Sequence, residues 1–558
     1  MTTFLAPEVD WLAAAPVLFV FSAAVIGVLV EAFAPRSGRR LLQMVIALLG
    51  LAGALVALGL NAAAPASPLT GLSPSVLVAT GSVAGLPMGM QMDPVSLFLQ
   101  ATLVVLGALS VLLLGARGGD ALDPFAADAA SRPESAAERA AERAGREITE
   151  VFPLMMFSIG GMMVFAAAAD LLTMFVALEV LSLPLYIMCG LSRTQRLRSQ
   201  EASLKYFLLG AFSSALFLFG MAMIYGAAGT LNLTLLTQQV GQVYLQAQQT
   251  GQPVQWQAFV VVAALLMLAG LLFKVGAVPF HSWTPDVYEG APTPVTAFMA
   301  ACTKVAAFGV LLRLMLPPLP TADGQLMWPG TMWFMQDALQ PVLVIIAILT
   351  MVVGSAVAIK QTDVKRMLGY SSVAHAGFIL CGLVSFQVLA VRGVLFYLFV
   401  YGLSSIAAFG IVSLVRVRND NGGIGPEARN LEQWNGLGRR SPMLALCFSV
   451  LMLAFAGFPL TSGFIAKFGV FSAAVSTGST WLIVLAVVGV IMSAVAASFY
   501  LRVIVRMYFS EPGEAGDTTI SLNSLTMVAV GVGVLATIVF GLLPGPLLDV
   551  AGTMVALP

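Results

Sequence analysis

Four lysines lie inside apolar stretches of this sequence that are long enough to cross a membrane. The chain of 558 residues contains only six lysines, and these four are Lys205, Lys274, Lys304 and Lys467. An ammonium group near the centre of a bilayer costs at least ~2.5 kcal/mol on insertion scales, so such a residue is a candidate for function. A neighbouring carboxylate changes the balance between the charged and neutral forms of lysine. The four lysines therefore predict a relay of proton-carrying groups at membrane depth.

Three other titratable residues accompany them. Glu179 has apolar neighbours in the middle of its stretch, where an unpaired carboxylate is costly. His281 and His375 are the only histidines, and imidazole titrates in a range that suits proton transfer, although a membrane histidine is often a hydrogen-bonded packing residue. Lys205 begins only a few residues into its stretch, so it is either part of the relay or in contact with water at the membrane surface.

The composition indicates an all-α polytopic membrane protein. Hydrophobic residues make up 59% of the chain, charged residues 10%, and the mean hydropathy is +0.94. Apolar windows of about 20 residues predict fourteen spans near 12–33, 41–62, 95–115, 151–169, 171–191, 203–227, 257–278, 291–316, 340–359, 367–386, 389–415, 442–475, 481–505 and 525–548. The first lacks a basic leader and a cleavage site, so we expect it to be retained.

Basic residues are concentrated in the gaps that follow odd-numbered spans. The alternate gaps 63–94, 228–256 and 476–480 contain no lysine or arginine. Because basic loops remain in the cytoplasm, we expect both termini on the outside of a bacterial plasma (inner) membrane. Glu31, Arg313 and Arg392 lie near span ends and are expected to anchor at the interface. Asp363, Lys365 and Arg366 belong to one basic gap and are expected to set the topology.

Proline and glycine interrupt two spans. Four prolines and two glycines follow Lys274, and Pro459 stands between two glycines shortly before Lys467. These residues unwind a helix, which is tolerated at membrane depth only in contact with protein or a water-filled cavity. Broken helices at matching places in two halves are typical of inverted-repeat transporters. We therefore predict that spans 4–8 and 9–13 are repeats with breaks in spans 7 and 12.

The predicted organisation has five parts. Residues 117–150 contain both charge signs and many alanines, which favours a solvated linker or short surface helix on the cytoplasmic side over a partner-binding module. The parts are spans 1–3 (1–116), this linker (117–150), the first repeat (151–316), the second repeat (317–510) and span 14 (511–558).

No cofactor or metal site is predicted in this chain. It lacks the glycine fingerprint of dinucleotide-binding folds, a phosphate-binding loop and a cysteine cluster, and its four cysteines are single. The zero net charge gives no reason to expect nucleic acid as a partner.

Five segments together resemble one known family. The chain is similar to the N-type antiporter-like subunit of NADH-quinone oxidoreductase, respiratory complex I, in FVALEVLSLPLYIMCG (175–190), EASLKYFLLGAFSSALFLFG (201–220), GLLFKVGAVPFHSWTPDVYEGAPTPVTAFMAACTKVAAFGVLLRL (270–314), KQTDVKRMLGYSSVAHAGF (360–378) and FPLTSGFIAKFGVF (458–471). The resemblance spans nearly all of 150–510. We expect the chain to lack the lateral helix of the L-type relative, and Lys467 stands where the M-type subunit would carry glutamate.

The resemblance implies a mechanism and a set of partners. Glu179 would pair with Lys274 and modulate it, protons would pass by water and histidine to Lys304, and Lys467 would communicate with the outside. The driving energy would come from an NADH-oxidising arm that carries FMN, iron–sulfur clusters and quinone, to which this chain is linked indirectly by antiporter-like and small membrane-arm subunits in the bilayer. The chain alone would have no redox activity.

Two other functions remain open from the sequence. A subunit of a multisubunit sodium/proton antiporter would share the lysines but have no redox arm. A passive structural subunit of the membrane arm would not need four lysines at membrane depth, so the sequence argues against that function.

Overall fold

Long helices make up most of the chain in a computed structural model. The described residues are 9–36, 38–63, 77–78, 82–83, 86–87, 89–116, 123–128, 131, 135–144, 147–193, 195–251, 257–317, 319–320, 326–328, 330–418, 424–511 and 518–553. The helices are α1 Trp11–Phe33, α2 Arg39–Ala63, α3 Pro94–Gly115, α4 Ala136–Arg143, α5 Val151–Ala167, α6 Leu171–Cys189, α7 Arg196–Ala228, α8 Leu233–Thr250, α9 Gln257–Val275, α10 Trp283–Gly290, α11 Thr293–Phe298, α12 Lys304–Met315, α13 Gln336–Ile359, α14 Val364–Leu383, α15 Val388–Leu414, α16 Leu437–Arg440, α17 Pro442–Ala456, α18 Ser462–Val475, α19 Thr480–Phe509, α20 Ser524–Leu542 and α21 Gly545–Thr553.

In the described part of the chain, short strands and turns lie between the long helices. The strands are β1 Leu77–Val78, β2 Ser82–Val83, β3 Leu86–Pro87, β4 Gln91–Met92, β5 Leu319–Pro320, β6 Leu326–Trp328, β7 Val415–Arg418, β8 Ile424–Glu427 and β9 Thr518–Ile520. All are antiparallel, in the pairs β1–β4, β2–β3 and β5–β6 and the sheet β8–β7–β9. A π turn, Met299–Thr303, joins α11 to α12, and two 3₁₀ turns cover Trp333–Met335 and Leu431–Trp434.

The all-α membrane fold predicted from composition is confirmed. Among the described residues, eleven helical segments are long and apolar enough to cross a membrane, and they coincide with predicted spans 1–3, 5–9, 11, 13 and 14. Span 4 corresponds to the 17-residue α5, span 10 to α14, and span 12 to the short helices α17 and α18. The count of fourteen crossings and the repeat relation stay predictions.

Both interruptions are present as breaks in the helices. At the first, Gly276 has φ +75°, and a Cβ there would lie 2.7 Å from Thr284 Oγ1, so the turn requires glycine. The amide of Val278 donates to Thr350 Oγ1 at 3.0 Å, and the indole of Trp283 donates to the carbonyl of Phe273 at 2.9 Å. Side chains therefore satisfy part of the unwound backbone at membrane depth, as the bilayer requires.

The second break, between α17 and α18, faces outward. Gly457 has φ +85° and Leu460 has φ 69°, and Leu460 is 71% exposed. Irregular backbone is tolerated at membrane depth only where protein or a water-filled cavity meets it. Protein or a water-filled cavity must therefore meet this surface.

The gaps after odd-numbered spans meet at one end of the bundle, called here the basic end. Arg40 pairs with Asp123, and Arg429 bonds to Gln195. Phe125 is buried and bridges to Ser192, so this part of 117–150 is docked on the bundle, whereas α4 is the short helix expected within that segment. The sheet β8–β7–β9 lies at the same end because β7 follows α15 and β9 precedes α20.

Close helix contacts fix the position of α14 against α13. A Cβ on Gly354 of α13 would lie 2.5 Å from the backbone nitrogen of Ala374 on α14. Small residues at such contacts allow backbones to approach closely in membranes. This contact matters for function because α14 carries His375 and Ser372.

The orientation is tested by labelling a cysteine at each end. Gln200 and Gln249 are exposed at opposite ends of the bundle. If the basic end is cytoplasmic, Gln200→Cys should react with an impermeant maleimide only in inside-out vesicles, and Gln249→Cys only in intact cells. The reverse pattern would overturn the predicted orientation.

Candidate functional site

Lys274 lies in the last turn of α9, and hydroxyl groups and aromatic rings surround its amine. Its Nζ donates to Ser182 Oγ at 2.7 Å and to Tyr186 OH at 3.4 Å, both on α6. The same atom lies 5.3 Å from the ring centroids of Tyr186 and Tyr206. Such cation–π contacts are worth ~2 kcal/mol or more when they are desolvated. The side chain is 2% exposed, so its charge is stabilised by dipoles and rings in place of water.

Glu179 does not form the ion pair with Lys274 that the resemblance implied. Among the described residues, no carboxylate lies within the 4.0 Å of an ion pair with Lys274. Glu179 nevertheless precedes Ser182 on α6 by three residues, nearly one helical turn, and Ser182 accepts the hydrogen bond from Lys274. Glu179 is partly exposed on α6, on the face that carries the exposed Val176 and Leu183. The carboxylate therefore lies between the Lys274 site and the outer surface of the bundle.

Lys304 follows the π turn and is held by two carbonyl groups. Its Nζ donates to the carbonyl oxygen of Val275 at 2.8 Å and to that of Ser372 at 2.9 Å. The first carbonyl is available because the break after α9 removes its helical partner. π turns inside α-helices occur frequently at functional sites. Lys304 therefore binds the carbonyl group of Val275, which is the residue that follows Lys274 in the chain.

Lys467 is held in the same way by the second break. Its Nζ donates to the carbonyl oxygens of Phe455 and Ala456 at 2.9 and 3.0 Å and to Ser493 Oγ at 2.6 Å. Nζ also lies 4.6 Å from the ring centroid of Phe378 on α14. The two carbonyls end α17, where the helix dipole is negative and favours a cation. Both breaks therefore supply acceptors for a lysine.

His375 lies on α14 between Lys304 and Lys467. Its Nδ1 lies 2.7 Å from Tyr397 OH and its Nε2 lies 3.2 Å from Tyr500 OH. It is 2% exposed and its ring packs against Phe378, which contacts Lys467. Ser372, the acceptor for Lys304, precedes it by three residues, nearly one helical turn. α14 therefore connects the two lysines with polar groups.

Lys205 is not buried with Lys274, Lys304 and Lys467. Its Nζ pairs with Glu201 at 2.7 Å and with Asp286 at 2.9 Å, and the side chain is 43% exposed. Arg366 also pairs with Asp286 and with Glu289. Of the two alternatives from the sequence, the structure places Lys205 at the water-facing basic end.

His281 lies in the first break, away from the other titratable groups. It is half-buried, and its Nδ1 has no hydrogen-bond partner among the described residues. Neighbouring Pro279 and Ser282 are exposed. Among the described residues, no hydrogen bond joins His281 to Lys274 or Lys304.

Lys365 is a buried lysine that the sequence analysis assigned to a topological role. It is 0% exposed, and its Nζ donates to the carbonyl oxygen of Ala291 at 2.7 Å. Asp363 caps α14 through the amide of Arg366, which places Lys365 in the first helical turn. A cation there opposes the helix dipole. A lysine in the first turn of a helix was therefore the feature of the sequence that could have indicated a special role for Lys365.

Arg313 is also buried, which corrects its expected position at the interface. It pairs with Asp93 of α3, and both side chains are 0% exposed. Arg313 Nη2 also donates to Ser96 Oγ at 2.7 Å. Glu31 pairs with Arg39 and is largely buried, whereas Arg392 is 43% exposed beside Asp549. The Arg313–Asp93 pair ties α12 to α3.

Breaking this buried pair should prevent assembly. Arg313→Met leaves Asp93 buried without its cation, at a cost of ~3–5 kcal/mol, so we expect little intact complex on a native gel. Arg392→Met removes an exposed pair worth about 0–1 kcal/mol and serves as the control. Combining Arg313→Met with Asp93→Asn should recover assembly in part. A normal yield from Arg313→Met alone would contradict the structural role.

Comparisons with known proteins identify the family. The family described as "NADH:quinone oxidoreductase/Mrp antiporter, TM" matches residues 168–493. NADH-quinone oxidoreductase subunit N 3 of Streptomyces griseus is 48% identical over 98% of this chain and 94% of the relative. A chain of respiratory complex I from Thermus thermophilus with bound aureothin is 30% identical, with a TM-score of 0.69 over 96% of this chain and 98% of that one.

The antiporter likeness is weaker in sequence. A chain of the Mrp complex from Dietzia is 22% identical with a TM-score of 0.72 over 98% of this chain and 97% of that one, which shows the shared fold alone. The complex I chain and the Mrp chain match the fold about equally well, but the sequence is more similar to the complex I subunits. The chain therefore belongs to the subunit N family of NADH-quinone oxidoreductases.

Proposed function

We propose that this chain translocates protons in the membrane arm of an NADH-quinone oxidoreductase through Lys274, Lys304, His375 and Lys467. The observation that carries the proposal is that all three lysines are buried, and each is held by hydroxyl or carbonyl oxygens in place of an ion pair with a described residue. A lysine held in this way still has two N–H donors for these oxygens after its ammonium, which has three, loses a proton. A tight ion pair would hold it charged.

The proton path runs along α14. Lys304 and Lys274 meet at the end of α9, and a proton given up by one Nζ is taken by the other through water. Ser372, His375 and the hydroxyl of Tyr500 lead towards Lys467. The histidine accepts the proton on one ring nitrogen and releases it from the other, with Tyr397 and Tyr500 as partners.

Glu179 supplies the control of this path. Its partly exposed position on α6 makes it accessible to a neighbouring membrane subunit, since an intramembrane carboxylate is normally covered by protein. Movement of a charge in that neighbour would change the field at Lys274. The exposed second break indicates another contact with protein on the surface near Lys467.

We assign no part of NADH oxidation to this chain. Moving one charge against 100 mV requires ~2.3 kcal/mol, and we assign this supply to partner subunits that carry FMN, iron–sulfur clusters and a quinone site. Isolated from them, the chain should have no redox activity. The basic end would face the bacterial cytoplasm and both termini would lie outside.

Purification of the native complex tests this assignment. An affinity-tagged chain should bring down NADH-oxidising subunits, and the complex should acidify the interior of inside-out vesicles when NADH is added. Co-purification with antiporter subunits alone, and no NADH-dependent acidification, would support the sodium/proton antiporter in its place.

A further inference from the structure

The basic end contains a cavity that the relay above does not use. It has a volume of about 720 Å³ and is lined by polar residues from the starts of α7 and α14, the end of α10 and the segment around β8. Asp363, Arg366 and Glu427 are among them. A smaller cavity of about 260 Å³ shares Arg366 and Glu289 and extends to Lys205. Water at the basic end therefore has access to the first turn of α14.

Lys365 lies in the chain between two residues that line this cavity. Its neighbours Asp363 and Arg366 line the wall, while its own side chain points away from solvent and contacts Ala291. No described carboxylate is within ion-pairing distance of its amine. The charged residues whose fields reach it are Arg429, Glu427, Asp363 and Glu289.

Glu427, the last residue of β8, lies close to the segment that contains Ala291. Its Oε2 accepts a hydrogen bond from Thr293 Oγ1 at 2.6 Å, two residues beyond Ala291. Burial raises the pKa of this carboxyl, but Lys365, Arg416 and Arg429 outweigh burial and hold the pKa below its usual range. Glu427 is therefore an anion between the cavity and Lys365.

Hydroxyl groups continue from this corner towards the relay. Thr296 Oγ1 donates to the carbonyl oxygen of Tyr288, and Tyr288 OH lies 3.4 Å from Ser372 Oγ. The carbonyl of Ser372 accepts from Lys304. Ser372 lies seven residues after Lys365 on α14, about 10 Å along the helix axis. Polar groups of Thr296, Tyr288 and Ser372 therefore lie between Lys365 and Lys304.

We propose that Lys365, with Glu427 beside it, is a proton-loading site that takes protons from the basic-end cavity and passes them to Lys304. The proposal rests on the proposed function, because it needs Lys304 as a proton carrier. In the loading step the neutral amine of Lys365 takes a proton from water in the cavity. The ammonium then releases a proton towards the hydroxyls of Tyr288 and Ser372.

A purely structural role for Lys365 is the alternative. Its ammonium lies at the C-terminal end of α10, where a cation is favoured, and it would clamp Ala291 in place. A clamp needs a fixed positive donor, whereas a loading site needs a group that loses its proton. Lys365→Arg keeps the donor and the charge but does not release a proton readily, so it separates the two roles.

The experiment uses the assembled complex in inside-out vesicles. Lys365→Cys is made in a background with Cys447→Ser, which removes the cysteine that is not fully buried. We expect at least a tenfold fall in NADH-driven proton uptake. Treatment with 2-aminoethyl methanethiosulfonate forms a disulfide with the cysteine thiolate, releases methanesulfinate and restores a titratable amine, so uptake should recover. The trimethylammonium analogue adds a fixed charge without an N–H group and should not restore uptake.

Controls separate this proposal from the relay itself. Lys360→Cys, exposed on the neighbouring turn, should react with both reagents and pump normally throughout. Glu427→Gln keeps an oxygen for Thr293 and should lower uptake less than Lys365→Cys does. Lys304→Met is measured in parallel, because normal pumping in that variant would refute the proposed function itself.

Four outcomes would overturn the loading site. Normal uptake in Lys365→Arg would leave Lys365 as a clamp only, and recovery with the trimethylammonium reagent would leave it as a source of fixed charge. Normal uptake in untreated Lys365→Cys would remove it from the path. Failure of the cysteine to react from the basic end would show that the cavity does not reach it. If Lys304→Met is defective while any of these holds, only the loading site is refuted.

Discussion

Replacing Lys304 by methionine is expected to abolish most proton translocation while the chain stays folded. Methionine has a similar length and suits the buried surroundings, but a thioether cannot accept a proton. The carbonyls of Val275 and Ser372 lose a donor, at about 1–3 kcal/mol each, which is offset by removing a buried charge. General acid–base groups contribute ~10²–10⁴-fold, so we expect at least a hundredfold slower transfer.

Two measurements define this result. NADH-driven acidification of inside-out vesicles should be lost, and NADH oxidation should fall with it because the two are coupled. Lys304→Arg keeps donors for both carbonyls but cannot readily lose its proton, so it should be similarly defective. Lys360→Met, on an exposed turn, is the control. An arginine variant as active as the wild type would mean that Lys304 supplies only fixed charge.

Glu179→Gln is expected to impair pumping in a complex that assembles normally. Lys274 is held by Ser182 and Tyr186, not by Glu179, so loss of the carboxylate should not release the lysine. An amide is nearly the same size but has no charge with which to tune Lys274. We expect at least a tenfold fall in the pumping rate, with part of it recovered in Glu179→Asp.

A comparison with Ser182→Ala distinguishes the effect of the Glu179 charge from the effect of the hydrogen bond to Lys274. That change removes the 2.7 Å hydrogen bond to Lys274 and leaves the Glu179 charge in place. Pumping should respond more strongly to loss of the charge if Glu179 is the control element. Normal proton pumping together with normal quinone reduction in Glu179→Gln would refute that role.

The sequence by itself determined the class of fold and the position of both breaks. Apolar windows of membrane length specify helices because the bilayer leaves no other way to satisfy the backbone. The breaks follow from local chemistry, since Gly276 and Gly457 adopt φ values that other residues rarely take. The buried lysines Lys274, Lys304 and Lys467 were also visible as costly charges in apolar surroundings.

Only the tertiary structure decided what each charge contacts. Glu179 and Lys274 are on different helices, and their separation depends on how α6 and α9 each pack against α7. Lys205 and Lys365 both lie near the basic end of a helix in the sequence, yet Lys205 is paired and exposed while Lys365 is buried. The difference arises because the corner at Ala291 and the segment around Glu427 cover the start of α14. Contacts between residues far apart in the chain set burial, and span prediction treats each helix alone.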